Sequence, residues 1–165
     1  MRATALAPDH AIAHNALAAL ASLDQRYDDA EAHWIAAIEA APEDTAPLRN
    51  LAQMLQATGR GDEAVALLAP AVAVLPDDIG LQWTMAVVAN YAPHLTAEEV
   101  AGHHRQHGRA VLARLPAEAR KPMPTVRTTG SLRVGFLSPD FREHSVAWFL
   151  LPLLRHLDAG AIEVP

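Results

Sequence analysis

Three prolines set the frame of this chain. Pro8, Pro42 and Pro76 stand 34 residues apart, twice over, and each is followed by acidic residues: Asp9, then Glu43 and Asp44, then Asp77 and Asp78. A fixed period of this length belongs to stacked helix–turn–helix units. A unit of two short helices cannot bury its apolar face alone and must stack on copies of itself. The positions between the prolines keep the register. Over 11–44, Leu17 and Ala18 stand where the first helix packs, Ala30 where the two helices cross, and Trp34 and Ala37 where the second helix faces the groove. Over 45–78 the same positions hold Leu51, Ala52, Ala64, Leu68 and Ala71. The turns correspond too: Gln25-Arg26-Tyr27-Asp28-Asp29-Ala30 against Gly59-Arg60-Gly61-Asp62-Glu63-Ala64. Small residues at the crossing let the helices approach closely, and acidic residues at the start of the second helix suit the positive end of its dipole.

Spacing and residue type together resemble the tetratricopeptide repeat over residues 11–78. Four helices in two antiparallel pairs are therefore expected between about 11 and 75. A third unit opens with Leu81, Trp83, Met85 and Ala86, then departs from the pattern at Asn90-Tyr91-Ala92-Pro93. Met1 to Ala7 look like the tail of a preceding second helix, with Ala3 in the position of Ala37 and Ala71.

Bulk properties remove several classes of function. The chain has 165 residues, of which 51% are hydrophobic and 19% charged, the composition of a folded protein. A net charge of −6 and a pI near 5.8 offer no basic stripe to neutralise phosphates, so no nucleic-acid partner is expected. With no cysteine, disulfides and thiolate metal sites are excluded. No stretch of about 18 apolar residues appears, and the first residues lack the pattern of a signal peptide, so no membrane partner and a cytoplasmic location are expected. Lys121 is the only lysine, and this bias towards arginine, with abundant Ala and Pro, points to a GC-rich bacterial genome.

Thr96-Ala97-Glu98-Glu99 has the form of a capping box, which predicts a helix to about Leu115. His103 and His107 share a face of that helix, but no third ligand stands at an obvious spacing, so no metal is assigned. Pro116, Pro122, Pro124 and Thr128-Thr129-Gly130 read as a linker. Beyond it the pattern changes. Leu132 to Leu137 is a short, partly alternating apolar run, as expected of a strand. Ser138 to His144 is a loop, Ser145 is placed to cap a helix over about Val146 to Leu157, and Ile162-Glu163-Val164 begins a second strand. The helix is apolar almost all round, so it must be buried on more than one side. Strand, loop, helix, strand is the opening of a parallel α/β sheet, and one and a half strands cannot form its core. The chain is therefore expected to be a fragment of a larger protein.

The repeats, the connector Asn90-Tyr91 with Glu98-Glu99-Val100 and His104-Arg105, and the stretch from Leu132 to Ser145 resemble the SPINDLY / protein O-GlcNAc transferase family, most specifically from Arg133 to Leu154. The resemblance implies a mainly α chain: a tetratricopeptide helical-repeat solenoid over 1–91, a connecting helix and Pro-rich linker over 92–130, and the truncated beginning of a Rossmann-like α/β catalytic lobe over 131–165. It implies transfer of a sugar, N-acetylglucosamine from UDP-GlcNAc or a related nucleotide sugar as co-substrate, to Ser or Thr of proteins, with no cofactor. His144 matches the family histidine at the mouth of the sugar site, as general base or as an orienting group; where some relatives carry a second histidine, this chain has Trp148. Its place after a strand and before a helix N-terminus suits a ligand-facing role, while Asp140 is expected to bond the loop backbone. Asn50 matches the asparagines with which family members bind polypeptide along the inner repeat surface, whereas the equivalent positions before and after it are Ala16 and Thr84. The alternative is a non-enzymatic tetratricopeptide scaffold with a degenerate α/β tail.

Overall fold

The computed structural model of the chain describes residues 10–119, 132–136, 138, 140, 142–158 and 162–163. It divides into two compact units, residues 1–120 and 121–165. The expected helical tail at Met1 to Ala7 and the linker residues from Pro122 to Gly130 lie outside the described residues.

The first unit is a solenoid of antiparallel helices: α1 (Ala11–Leu23), α2 (Tyr27–Ala40), α3 (Thr45–Ala57), α4 (Gly61–Val74), α5 (Ile79–Ala89) and α6 (Ala97–Arg114), then a 3-10 turn at Ala117–Ala119. Each helix packs against the next, and α3 also touches α1 and α5. The 34-residue period fixes the starts. His10, Asp44 and Asp78 each cap a first helix, accepting from the backbone N–H of Ala13, Ala46 and Leu81. Burial pushes the Asp78 carboxyl up. The N–H groups of Leu81 and Gly80, the Thr45 hydroxyl and the nearby Arg49 guanidinium outweigh that and hold it below the usual range.

The turns within each pair show the same register. Gln25 and Gly59 both take left-handed backbone conformations, φ 60° and 82°. Glycine adopts this freely; glutamine carries the cost of its Cβ. Arg26 and Arg60 follow and bind Asp29 and Glu63 one turn on. Arg60 also holds Glu31 of α2 through both guanidinium nitrogens, which ties the second pair to the first. The Thr45 hydroxyl donates to Asp78 and ties the second pair to the third.

The crossings are as tight as the alanines imply: Ala18, Ala30, Ala52 and Ala64 have no exposed surface. Trp34, Leu51, Leu55, Leu68, Leu81, Met85 and Val88 fill the core around them. Residues 90–96 replace the expected turn, and α6 starts at Ala97 with the capping box of Thr96 and Glu99 in place. The Tyr91 backbone lies on the first turn of α4. A Cβ on Gly61 would stand 1.9 Å from the Tyr91 carbonyl oxygen, so glycine is needed there, although its counterpart in the first pair is Tyr27.

The second unit contains β1 (Leu132–Arg133), α7 (Ser145–Arg155) and β2 (Ile162–Glu163). The strands pair in parallel, Leu132 with Ile162 and Arg133 with Glu163. A parallel pair with a helix between its strands is a βαβ connection. One expectation needs correction here. The cap of α7 is His144, not Ser145: His144 is extended (φ −145°, ψ 154°) and its ring takes the capping hydrogen bond, while Ser145 is already helical. The helix itself is open, as expected where one and a half strands cannot form the core of the sheet: Trp148 and Phe149 are 83% and 81% exposed. Its apolar circumference calls for more neighbouring elements than the two short strands of this unit.

Candidate functional site

The inner helices of the repeat unit carry the first candidate, Asn50 on α3. Its environment is set by Trp34, whose indole is buried at the α1–α2 crossing and must place its N–H against an acceptor, since indole can only donate. That acceptor is Asn15 Oδ1 on α1, 3.0 Å away. The contact fixes which way the Asn15 amide lies. Asn50 Nδ2 then donates to the same oxygen at 3.1 Å. One carbonyl thus receives two donors. The Asn50 carbonyl oxygen and the Asn15 amide nitrogen have no partner among the described residues, and both side chains are half-buried. A peptide unit offers one N–H and one C=O, so this pair of amides can accept from one and donate to the other.

Asn15 was not singled out from the sequence. The family pattern points to Ala16, at the 34-residue spacing, and Ala16 is exposed and offers no polar group. A signal existed: Asn15 and Trp34 are nearly equidistant from the turn at Gln25, so they face each other across the α1–α2 hairpin. His14 and His33 meet the same way, with Nδ1 atoms 3.0 Å apart and ring centroids separated by 5.2 Å. Thr84, the third-repeat equivalent of Asn50, is buried and donates its hydroxyl to the Gly80 carbonyl, so it offers nothing to a ligand. The asparagine pair stands alone along α1, α3 and α5.

His144 is the second candidate and lies in the other unit. Its Nδ1 accepts the Val146 N–H at 3.3 Å. A neutral imidazole with Nδ1 as acceptor carries its proton on Nε2. That nitrogen is 3.9 Å from Asp140 Oδ1, and Arg142 stands at the same distance from the same oxygen. Asp140 therefore faces a histidine and an arginine. Among the described residues its carboxylate takes no backbone hydrogen bond, unlike the loop-stabilising role expected; its own N–H donates to the Ser138 hydroxyl. The ring borders an open groove of about 740 Å³ lined also by Glu143, Ala147, Trp148, Leu151 and Arg155. In this arrangement His144 can donate from Nε2. Taking up a proton at Nδ1 would break the helix cap.

His103 and His107 lie on α6 with buried Nδ1 atoms that lack hydrogen-bond partners among the described residues. No group of three potential ligands for a metal occurs among the described residues. No described helix is long and apolar enough to cross a membrane.

Residues 21–86 match the tetratricopeptide repeat family. A mutant O-GlcNAc transferase from Thermobaculum terrenum has a similar solved structure, with a TM-score of 0.65 and 24% sequence identity. The similarity covers 99% of this chain and 31% of that one, so the present chain spans about a third of that structure's length. At that identity the likeness is one of fold, a mainly helical solenoid of tetratricopeptide type. No curated protein sequence matches the chain.

Proposed function

We propose that this chain supplies the substrate-holding repeats and the first strand, helix and strand of the catalytic region of a protein O-glycosyltransferase. The repeats hold an extended polypeptide, and a Rossmann-like lobe that begins with β1 and α7 accepts a nucleotide sugar. N-acetylglucosamine then passes from UDP-GlcNAc to a Ser or Thr hydroxyl. The acceptor oxygen forms a bond to the anomeric carbon, the bond from that carbon to the diphosphate breaks, and the hydroxyl proton leaves. No cofactor takes part.

The observation that carries the proposal is the pair of half-satisfied amides at Asn15 and Asn50, held in place by the Trp34 indole. Peptide backbone is the ligand such amides match without regard to side-chain sequence, as an enzyme with many protein substrates requires. The resemblance of residues 132–145 to O-GlcNAc transferases supplies the chemistry. His144, with Nδ1 committed to Val146 and its proton on Nε2, suits a group that orients the acceptor or the sugar by donation better than a base.

A second role, as a scaffold that binds proteins without chemistry, is favoured by one feature: the imidazole is already used as a cap. Both roles require polypeptide binding, and turnover separates them. Titration of the chain with Ser/Thr-containing peptides in a calorimeter should give binding that Asn50→Ala weakens by about 2–10-fold, the worth of one hydrogen bond. Unchanged binding by the variant would remove Asn50 from the polypeptide surface. In a transferase that carries this segment, His144→Asn keeps a capping side chain and removes the imidazole. Lost turnover with an unchanged melting temperature supports the enzyme, and full turnover supports capping alone.

A further inference from the structure

Arg49 is the one charged residue of the inner helices. Helices α1, α3 and α5 hold no other Asp, Glu, Lys or Arg, although the chain as a whole carries a net charge of −6. It immediately precedes Asn50 on α3. At about 100° per residue the two side chains leave the helix on either side of Gln53, which is exposed one turn on. Asn50 turns towards α1, where it meets Asn15. Arg49 turns towards α5, where a Cβ on Gly80 would stand 2.7 Å from its Nη1. The counterparts of Gly80 in the earlier pairs are Ala46 and Ile12, so glycine leaves at the third pair the room that the guanidinium occupies.

This guanidinium is half-buried and under-used. Among the described residues it makes no hydrogen bond or ion pair, and its Nε is buried without a partner. Asp78 lies near enough to feel the charge. That carboxylate is already committed as the cap of α5, taking the Leu81 N–H and the Thr45 hydroxyl. A guanidinium is always charged, offers five N–H donors and accepts nothing, so holding it part-way out of water with no acceptor is costly. The acceptor that matches its fork is a carboxylate, through two parallel hydrogen bonds. The inner helices supply none.

We infer that Arg49 selects among polypeptides: it binds the carboxylate of an aspartate or glutamate side chain in the segment that crosses Asn15 and Asn50. The inference rests on the reading of the repeats as a polypeptide-holding surface and adds a choice among sequences to it. The two amides take peptide backbone, which is the same at every residue. The guanidinium, on the other edge of the same open helix face, takes one side chain. Because the strip around it is neutral, the preference is for an acidic residue at one register rather than for acidic chains in general.

Calorimetric titration of the 165-residue chain should use acetylated, amidated peptides of serine, threonine and alanine, with one glutamate stepped along the sequence, and the glutamine counterpart of each. At the best position glutamate should bind at least about fivefold more tightly than glutamine, as expected of a charge-assisted contact partly in solvent. The advantage should shrink as salt is added. Arg49→Gln should erase the difference between the two peptides and retain binding of the glutamine peptide, with the helical circular dichroism unchanged. Arg49→Lys should retain part of the difference. Equal affinity of the glutamate and glutamine peptides, with binding still weakened by Asn50→Ala, would overturn the inference and leave the polypeptide surface standing. So would a glutamate preference that survives Arg49→Gln. A gain seen only when the C-terminal amide is replaced by the free acid would assign Arg49 to a chain end and reject side-chain selection. Failure of every peptide to bind would overturn both readings. Should Arg49→Gln fold poorly, the glutamate–glutamine comparison on the wild-type chain decides by itself.

Discussion

Leu68 of α4 and Phe149 of α7 are both large apolar side chains in the middle of a helix. Leu68 has no exposed surface and Phe149 is 81% exposed. The contrast extends to the helices around them. In the repeat unit, caps, turns and crossings recur at one register and every pair has a neighbour to stack on. Among the described residues of the second unit, one helix and two two-residue strands share an apolar content that would suit a larger sheet. Apolar composition is therefore not the same as burial. A repeat carries its solution in its period, because each unit is the partner of the next. A βαβ unit needs strands from elsewhere in the sheet, and no local pattern supplies them.

The sharpest way to break this comparison is to delete matched side chains. Leu68→Ala should destabilise the chain by about 2–5 kcal/mol, the cost of lost burial and a residual cavity. Phe149→Ala should stay within about 0.5 kcal/mol. Urea denaturation checks both, and a large loss at Phe149 would mean that α7 has a buried partner after all. Next in size is Gly61→Ala. The added methyl meets a backbone carbonyl that cannot swing aside, so either the 90–96 turn or the start of α4 must move, at about 1–3 kcal/mol. The same assay reads it, and a neutral outcome would show that the turn is free to shift.

Asp78→Ala removes a cap and the bridge to Thr45 and should cost about 1 kcal/mol at neutral pH. The sign of its pH dependence follows from the depressed carboxyl: the stabilisation is complete above the ordinary carboxylate range and is lost as pH falls through the lower folded-state value. Wild type and variant should therefore differ fully at pH 7 and converge below about pH 4. A gap that persisted in acid would assign the effect to packing. The smallest effect is expected from Gln25→Gly, which relieves a left-handed glutamine and should raise stability by up to about 1 kcal/mol. A decrease would mean that the glutamine side chain has a role at the turn.

The frame of the repeat unit was legible because its requirements are local and repeated. Only a small residue fits at Ala30 and Ala64, and an acidic cap at Asp44 or Asp78 announces the next helix. Asn15 was not legible along the period, because its value depends on where the α1–α2 hairpin sets Trp34, a relation that runs across the repeat. His144 was legible as a ligand-facing position from its resemblance and its place in the chain. Its use as a cap was hidden, because a histidine and a serine in succession both offer an acceptor, and backbone conformation decides between them. The exposure of α7 was legible from its apolar circumference beside an incomplete sheet, and the neighbours it calls for are not among the described elements of its unit.

The ties between successive pairs have one more consequence. Arg60 fastens the second pair to the first through Glu31, and Thr45 fastens it to the third through Asp78. The chain is thus coupled like a short row of dominoes, each standing or falling with its neighbours. Opening begins at either end, where one joint must break, and reaches the middle pair last, where two must. The asparagine pair straddles the first of these joints, so a polypeptide that bridged Asn15 and Asn50 would act as a third link there. Such a polypeptide would be a brace for the solenoid, which would be stiffest while it is occupied.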